Sequence, residues 1–253
     1  HAVVATSMAH ASGSGVRLFD ESFAEFGSRT DLPQFDFIAL HGVWSWVSDA
    51  NRDAIVQLIA DRLAPGGVLY ISYNILPGWA SLTPLQFLLS NRADALLQSG
   101  VPPKEAVREV LHFAEKLLAT EPRYASEAAT VSRYLQELTT KSESYIAHEL
   151  FHSHWKPMHF SEIADRLSAA KLSFAGTANL LESLAQIYLT PPQREYLAEI
   201  ADPILRENLS DFMTNQRFRA DYWVKGVTKL SLLEQAEMLR ETSWLLTKDP
   251  NQL

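Results

Sequence analysis

The pattern of hydrophobic and polar positions is clearest between residues 35 and 73. The run Phe35-Asp36-Phe37-Ile38-Ala39-Leu40 is nearly continuous in apolar residues, which is typical of a strand covered on both faces. Apolar positions then recur at helical spacing from Ile55 to Leu63, behind Ser48 or Asp49 as the N-cap. Pro65-Gly66-Gly67 ends that helix, and residues 68–73 form a second apolar run. Strand, helix and strand in this order predict a parallel βαβ crossover.

The remaining periodicity is mainly helical. Small apolar residues at 1–12 predict a helix that Gly13 and Gly15 end. A short strand is predicted at 16–19, as a third parallel neighbour of the strands at 35–40 and 68–73. Residues 82–151 have helical periodicity throughout. Further elements are predicted as helices at 104–118, 127–138, 145–151 and 161–170 (capped by Ser161), a strand at 172–176, two or three helices within 180–215, a late antiparallel strand at 218–224 and a closing helix at 231–246.

Composition narrows the classes of protein. With 47% hydrophobic residues in 253 and no apolar run approaching the ~20 residues of a membrane span, the chain is predicted to fold without a membrane partner. It has no cysteine, which suits a reducing compartment and predicts a cytoplasmic location. Its net charge of −8 argues against nucleic acid as a partner. The start at His1, without methionine or a leader pattern, predicts a chain cut from a longer one.

Four segments carry a resemblance to a known family. Residues 35–47, ending in His41-Gly42-Val43-Trp44-Ser45-Trp46-Val47, are similar to the fourth-strand motif of class I SAM-dependent methyltransferases. Residues 63–74 with Leu76-Pro77-Gly78-Trp79 resemble the fifth-strand motif. The chain looks most like the subgroup with a methyltransferase regulatory domain, whose regulatory region is similar to Tyr145-Ile146-Ala147-His148-Glu149 and Asn215-Gln216-Arg217-Phe218-Arg219.

The resemblance covers most of residues 16–227 and implies an α/β fold. That fold is the later part of a Rossmann-like methyltransferase sheet with a large helical insertion and C-terminal helices. The domains expected are the C-terminal part of the core at 1–80, the helical insertion at 81–154, a return to the core at 155–227 and a C-terminal helical extension at 228–253.

The activity implied is methyl transfer from S-adenosyl-L-methionine (SAM), and some members of the subgroup act on protein lysines. A protein substrate and a homodimer through the helical insertion are therefore the expected partners. The glycine-rich loop and the acidic second-strand residue that hold SAM in the family are absent, and Ser12-Gly13-Ser14-Gly15 precedes a strand instead of opening a helix. The chain alone is expected to be inactive and to bind SAM weakly. The alternative is a non-catalytic regulatory or dimerisation module.

Ligands of open α/β sheets lie beyond the carboxyl ends of the strands. By resemblance, Ser22 and Phe23 occupy the place where the family contacts adenine, although a helix-capping turn explains them equally well. His41, Gly42, Val43 and Trp44 would wall the sulfonium, because glycine permits close approach and aromatic rings attract cations. The alternative is that the tryptophans are core residues, and for Trp46 we prefer it.

On the substrate side, Tyr73 and Asn74 end the fifth-strand motif and could position an amine or simply satisfy a loop. Trp79 and His148 join them as expected substrate-binding residues, from the motifs in which they lie. The protein would mainly align the nucleophile about 3 Å from the methyl carbon. The sequence marks no catalytic base.

His148-Glu149-Leu150-Phe151-His152 spells H-E-x-x-H, the zinc-protease helix signature. The longer metzincin form needs glycine at Trp155 and histidine at Met158, and both fail. No acidic third ligand stands out downstream. A zinc hydrolase is therefore a remote alternative, and a histidine cluster without metal is the expectation.

Overall fold

The computed structural model describes residues 2–151, 154–179, 181–226 and 230–243. The chain begins with α1 (Ala2–Ala11), α2 (Phe23–Ser28), β1 (Phe35–Leu40), a 3-10 turn (Trp44–Trp46), α3 (Asp49–Arg62) and β2 (Leu63–Asn74). Helices α4 (Thr83–Gln98), α5 (Pro103–Ala119), α6 (Arg123–Glu127), α7 (Ala129–Thr139) and α8 (Glu143–Leu150) follow. The last elements are α9 (Phe160–Ser168), β3 (Leu172–Thr177), α10 (Ala185–Tyr188), α11 (Pro191–Glu199), α12 (Pro203–Thr214), β4 (Phe218–Lys225) and α13 (Leu232–Glu241).

Within the described residues the strands form one mixed sheet in the order β1-β2-β4-β3. β1 and β2 are parallel, while β4 runs antiparallel to both β2 and β3. The predicted βαβ crossover and the late antiparallel strand are therefore confirmed. The α/β fold with inserted helices is confirmed as well.

Local chemistry explains the crossover. The Ser48 hydroxyl accepts a hydrogen bond from the Asn51 N–H, so Ser48 is the N-cap of α3. Gly66 lies at φ +78°, a conformation that favours glycine. A Cβ on Gly67 would stand 2.8 Å from the Ala64 carbonyl oxygen, so this turn is tight enough to require glycine.

Three predictions about local structure were wrong. Residues 16–19 form no strand, because a strand needs a paired neighbour and nothing among the described residues pairs with them or with the free edge of β1. β1 is not covered on both faces, since Phe37 is 54% exposed. The cap of α9 is His159 instead of Ser161, because Glu162 closes a capping box on the His159 backbone.

The buried apolar residues form two clusters. One joins the sheet to α3 and α9 and includes Trp44, Ile59, Ile71 and Trp223. The other lies within α4–α8 and is formed by residues from Trp79 to Leu150. The two clusters suit a core with a helical insertion, and the domain boundaries given above stay a prediction.

Of the helices described, none has the length and apolarity to cross a membrane. The predicted closing helix ends at Glu241, and residues 244–246 lie outside the described residues.

Candidate functional site

The carboxyl ends of β1 and β2 are joined by two hydrogen bonds. The Gly42 N–H donates to Ser72 Oγ over 2.8 Å, and the Asn74 N–H donates to Ser45 Oγ over 2.8 Å. Gly42 has φ +66°, and no atom lies within 4 Å of the place where its Cβ would stand. The backbone is therefore held firmly here while open space remains beside it.

His41 lies exposed at the same edge of the sheet. Its Nδ1 is 3.1 Å from the Tyr70 hydroxyl, and the two rings are stacked with centroids 6.0 Å apart. Val43, the next expected cofactor contact, is half-buried against the sheet cluster. His41 and Gly42 are thus the members of the predicted set that face open space.

The two tryptophans of this segment differ in burial. Trp44 is fully buried in the sheet cluster, which agrees with the alternative of a core residue. Trp46 is partly exposed, and its ring centroid lies 4.6 Å from that of His148. The reason is the 3-10 turn at Trp44–Trp46, which turns the first ring inward and carries the second to the surface.

The expected adenine contacts at Ser22 and Phe23 lie at the start of α2. Ser22 is the N-cap: its hydroxyl accepts from the Glu25 N–H over 3.2 Å, and Glu25 accepts from the Ser22 N–H over 2.8 Å. Phe23 is half-buried against the sheet cluster. The capping alternative therefore accounts for the geometry of both residues.

An aromatic bridge connects the β1 edge to the helices. It consists of His148, Trp46, Trp155, Trp79 and Tyr134, whose neighbouring ring centroids lie between 4.6 and 6.3 Å apart. The Arg217 guanidinium lies 4.5 Å from the Trp79 centroid, a cation–π distance. The structure thus brings the predicted residues Trp79 and His148 into one group with Trp46.

Glu149 is buried beside this bridge, at 8% exposure. Burial raises the pKa of its carboxyl from 4.5 to about 7, against the opposing effects of a Tyr145 hydrogen bond and the Arg217 charge. His152, the second histidine of the H-E-x-x-H pattern, lies outside the described residues. Across the residues that the structure does describe, no group of three or more metal-ligating side chains occurs.

Tyr73 belongs to a buried ionic cluster that sequence reasoning missed. Its hydroxyl donates to Asp221, which is fully buried on β4. Arg219 lies opposite Tyr73 in the strand register and donates to Asp221, Asp211 and Glu207 at 2.8–3.2 Å. Burial and the Asp221 charge raise the pKa of Tyr73 well above 10, so its hydroxyl stays protonated. Tyr73 is therefore a buried donor, while Asn74 after it is half-buried.

Comparison with known proteins identifies a family model and relatives that resemble this chain. Residues 142–225 match the family model described as a predicted methyltransferase regulatory domain. An uncharacterized protein of Synechocystis sp. is 38% identical over 239 residues, which are 94% of this chain and 46% of that protein. One of Rickettsia prowazekii is 29% identical over 197 residues, 74% of this chain and 33% of that protein.

Solved structures share the fold. PKMT2 from Rickettsia typhi in complex with AdoHcy aligns with a TM-score of 0.68 and 23% identity, over 88% of this chain and 42% of that one. A second structure of PKMT2 aligns with a TM-score of 0.64 and 20% identity, over 93% of this chain and 44% of that one. The chain spans less than half the length of each of these relatives.

Fold and matched domain together define a protein like the SAM-dependent methyltransferases. More particularly, it resembles those that carry the methyltransferase regulatory domain, as the sequence motifs predicted.

Proposed function

We propose that this chain is the later half of a SAM-dependent methyltransferase whose methyl acceptor is a lysine of a protein substrate. The observation that carries the proposal is the pair of parallel strands β1 and β2, whose joined carboxyl ends leave open space at Gly42. The same fold occurs in PKMT2, a protein-lysine methyltransferase solved with AdoHcy, the product that SAM leaves after methyl transfer. That the whole protein is a transferase, and a methyltransferase that depends on SAM, is proposed from this likeness.

The residues at this edge fit part of a SAM molecule. Gly42 offers space, and exposed His41 offers a ring and a nitrogen beside it. Ser22 fits less well, because its hydroxyl already accepts a hydrogen bond from the helix that it caps. When bound, SAM supplies an electrophilic methyl group, and the task of this chain is to hold the cofactor edge and align the acceptor. His41, Gly42 and Val43 are the proposed cofactor contacts.

Asn74, Trp79 and His148 are the proposed contacts on the acceptor side. Trp79 and His148 belong to the aromatic bridge, whose rings suit the apolar stem of a lysine. Tyr73 supports this edge from within, since its hydroxyl is buried against Asp221. We assign no residue as the catalytic base.

A second candidate is a non-catalytic regulatory module. The capping role of Ser22 favours it, because that geometry leaves the expected adenine contact to other residues.

We also propose a cytoplasmic location, supported by the absence of cysteine. A homodimer through α4–α8 is proposed as well, supported by the 65% exposure of Phe87 on α4. Light scattering of the wild-type protein and of Phe87→Asp tests the dimer.

The activity is tested with methyl-labelled SAM and a lysine-rich polypeptide. The protein should be assayed with the upstream sequence of its gene, beside residues 1–253 alone. Label should appear as methyllysine after acid hydrolysis, and it should vanish when the lysines have first been dimethylated chemically. AdoHcy binding without methyllysine formation would favour the regulatory module.

A further inference from the structure

An acidic cavity of about 240 Å³ lies at the carboxyl end of β3, on the same edge of the sheet as Tyr73. It is bounded by the end of β3, the start of β4 and α12. We call it the acidic cavity, and its charged lining residues are Glu182, Glu207, Asp211 and Arg219. Its lining carries three carboxylates and one guanidinium.

Arg219 does not neutralise this cavity. Its Nε and one of its terminal nitrogens bond Asp221, which is fully buried behind the lining. Its remaining contacts go to Asp211 at 2.9 Å and to Glu207 at 2.8 Å. One positive charge thus faces four carboxyl groups once Glu182 is included, so the cavity has an excess of negative charge, and each guanidinium nitrogen already donates to a carboxylate. An anionic ligand would find repulsion here, and a cation would find attraction.

Asp211 has an acceptor that nothing fills. The side chain is 4% exposed, and its Oδ1 accepts from Arg219. Its Oδ2 is buried without a hydrogen-bond partner among the described residues, and Asp211 is one of the residues that line the cavity. A buried carboxylate oxygen of this kind costs free energy unless a donor reaches it. Burial, the largest effect, raises the Asp211 pKa to about 7 in spite of Arg219, so the carboxyl is mainly ionised at pH 8.

We propose that the acidic cavity binds a primary ammonium group, that of a lysine side chain, with Asp211 Oδ2 as its buried acceptor. An ammonium carries three donors and no acceptor, which matches a lining with an excess of carboxylates and with the unpartnered Oδ2 of Asp211. Glu182, half-buried at the rim, offers a second carboxylate, whose oxygens also accept from Asn179 and Thr177. The assignment to lysine rests on the proposed function, whereas the ammonium site does not.

The test is a titration of residues 1–253 with Nα-acetyl-lysine amide at pH 8, without SAM, followed by NMR and calorimetry. The matched probe is Nα-acetyl-norleucine amide, which has the same stem and no ammonium. A ligand of this size is expected to bind with a Kd of about 1 mM. Asp211→Asn should weaken lysine binding about tenfold or more, as loss of a charged hydrogen bond does.

Glu182→Gln is the second variant, because a rim residue can be changed without disturbing the buried cluster. It should weaken lysine binding several-fold, roughly the effect of one partly screened charge. Glu199→Gln, an exposed residue on α11, is the control and should bind like the wild type. If lysine and norleucine amides bind equally, or neither binds at about 50 mM, well above the expected Kd, the ammonium site is wrong. The proposal is also overturned if Glu182→Gln and a folded Asp211→Asn both bind the lysine amide as tightly as the wild type does.

This test is separate from that of methyl transfer. Binding of the lysine probe with no methyllysine formed by the longer protein would count against the proposed function alone. Methyl transfer to lysine with no selective ammonium binding in residues 1–253 would count against the acidic cavity alone.

Discussion

The rings of Trp46 and His148 lie with their centroids 4.6 Å apart. Trp46 ends the turn after β1, and His148 lies on α8 within the matched regulatory domain, residues 142–225. The contact therefore places the matched region beside the turn that follows the proposed cofactor edge, through two tilted rings.

Replacing Trp44 should lower the stability of the fold, whereas replacing His41 should leave it nearly unchanged. Trp44→Ala removes a fully buried ring and should cost about 3–5 kcal/mol of unfolding free energy. His41→Ala changes an exposed ring and should leave that free energy within about 0.5 kcal/mol of the wild type. Urea unfolding measures both. A large loss in His41→Ala, or none in Trp44→Ala, would mean that the two residues are misplaced.

The ionic cluster should be sensitive to loss of its cation. Arg219→Met leaves Asp211, Asp221 and Glu207 without their shared partner and should destabilise the fold by about 3–5 kcal/mol. The matched control is Arg108→Met, which breaks an exposed ion pair with Glu143 and should cost less than about 1 kcal/mol. Equal costs in urea unfolding would show that the Arg219 cluster is hydrated.

Glu149 should make stability fall as pH rises. Its folded pKa of about 7 exceeds the ordinary 4.5, so the folded state keeps a proton that the unfolded chain loses. The stabilising contribution is complete below about pH 4.5 and is lost as pH rises through 7. Relative to Glu149→Gln, the wild type should lose roughly 2–3 kcal/mol between pH 5 and 8.

Urea unfolding at pH 5, 6, 7 and 8 measures this difference. The exposed residue Glu109 supplies the control, since Glu109→Gln should follow the wild type at every pH. Parallel pH profiles for wild type and Glu149→Gln would place the carboxyl in water.

The βαβ unit could be predicted because its signals are local. Ser48 caps α3 with its own side chain, and the glycines at 66 and 67 form the tight bend near the start of β2. The segment at 16–19 failed because strand formation depends on a neighbour, which local pattern cannot supply. Serine is preferred over histidine as an N-cap, so the sequence predicted Ser161 for α9. In the structure Glu162 forms a capping box with His159, and His159 is therefore the N-cap.

The candidate site was less predictable, because its key contacts join distant parts of the chain. No local pattern predicts the contact between Trp46 and His148. A three-residue turn is too short for a periodicity that would predict which of Trp44 and Trp46 is buried. The ionic cluster did leave a signal. Arg219, Asp221 and Trp223 share the inward face of β4, so two charged residues at core positions of an alternating strand predict a buried ion pair.

The H-E-x-x-H pattern should not make this a zinc protein. The purified chain is expected to carry far less than one zinc, and His148→Ala should abolish no metal-dependent activity, because the methyltransferase likeness accounts for His148 and Glu149 without metal. Metal analysis by mass spectrometry is the measurement. Stoichiometric zinc that disappears in both His148→Ala and His152→Ala would revive the hydrolase alternative.

AdoHcy calorimetry on the protein with its upstream sequence tests the central claim, that the cofactor lies against Gly42. Residues 1–253 alone should bind more weakly than about 1 mM, because the glycine-rich loop and acidic residue are missing from them. In the longer protein binding should return, Gly42→Trp should abolish it, and Gly42→Ala should retain most of it. Alanine meets the same strain at φ +66° without filling the open space, so it controls for folding. Micromolar binding by residues 1–253 alone, or undiminished binding by Gly42→Trp, would contradict the account.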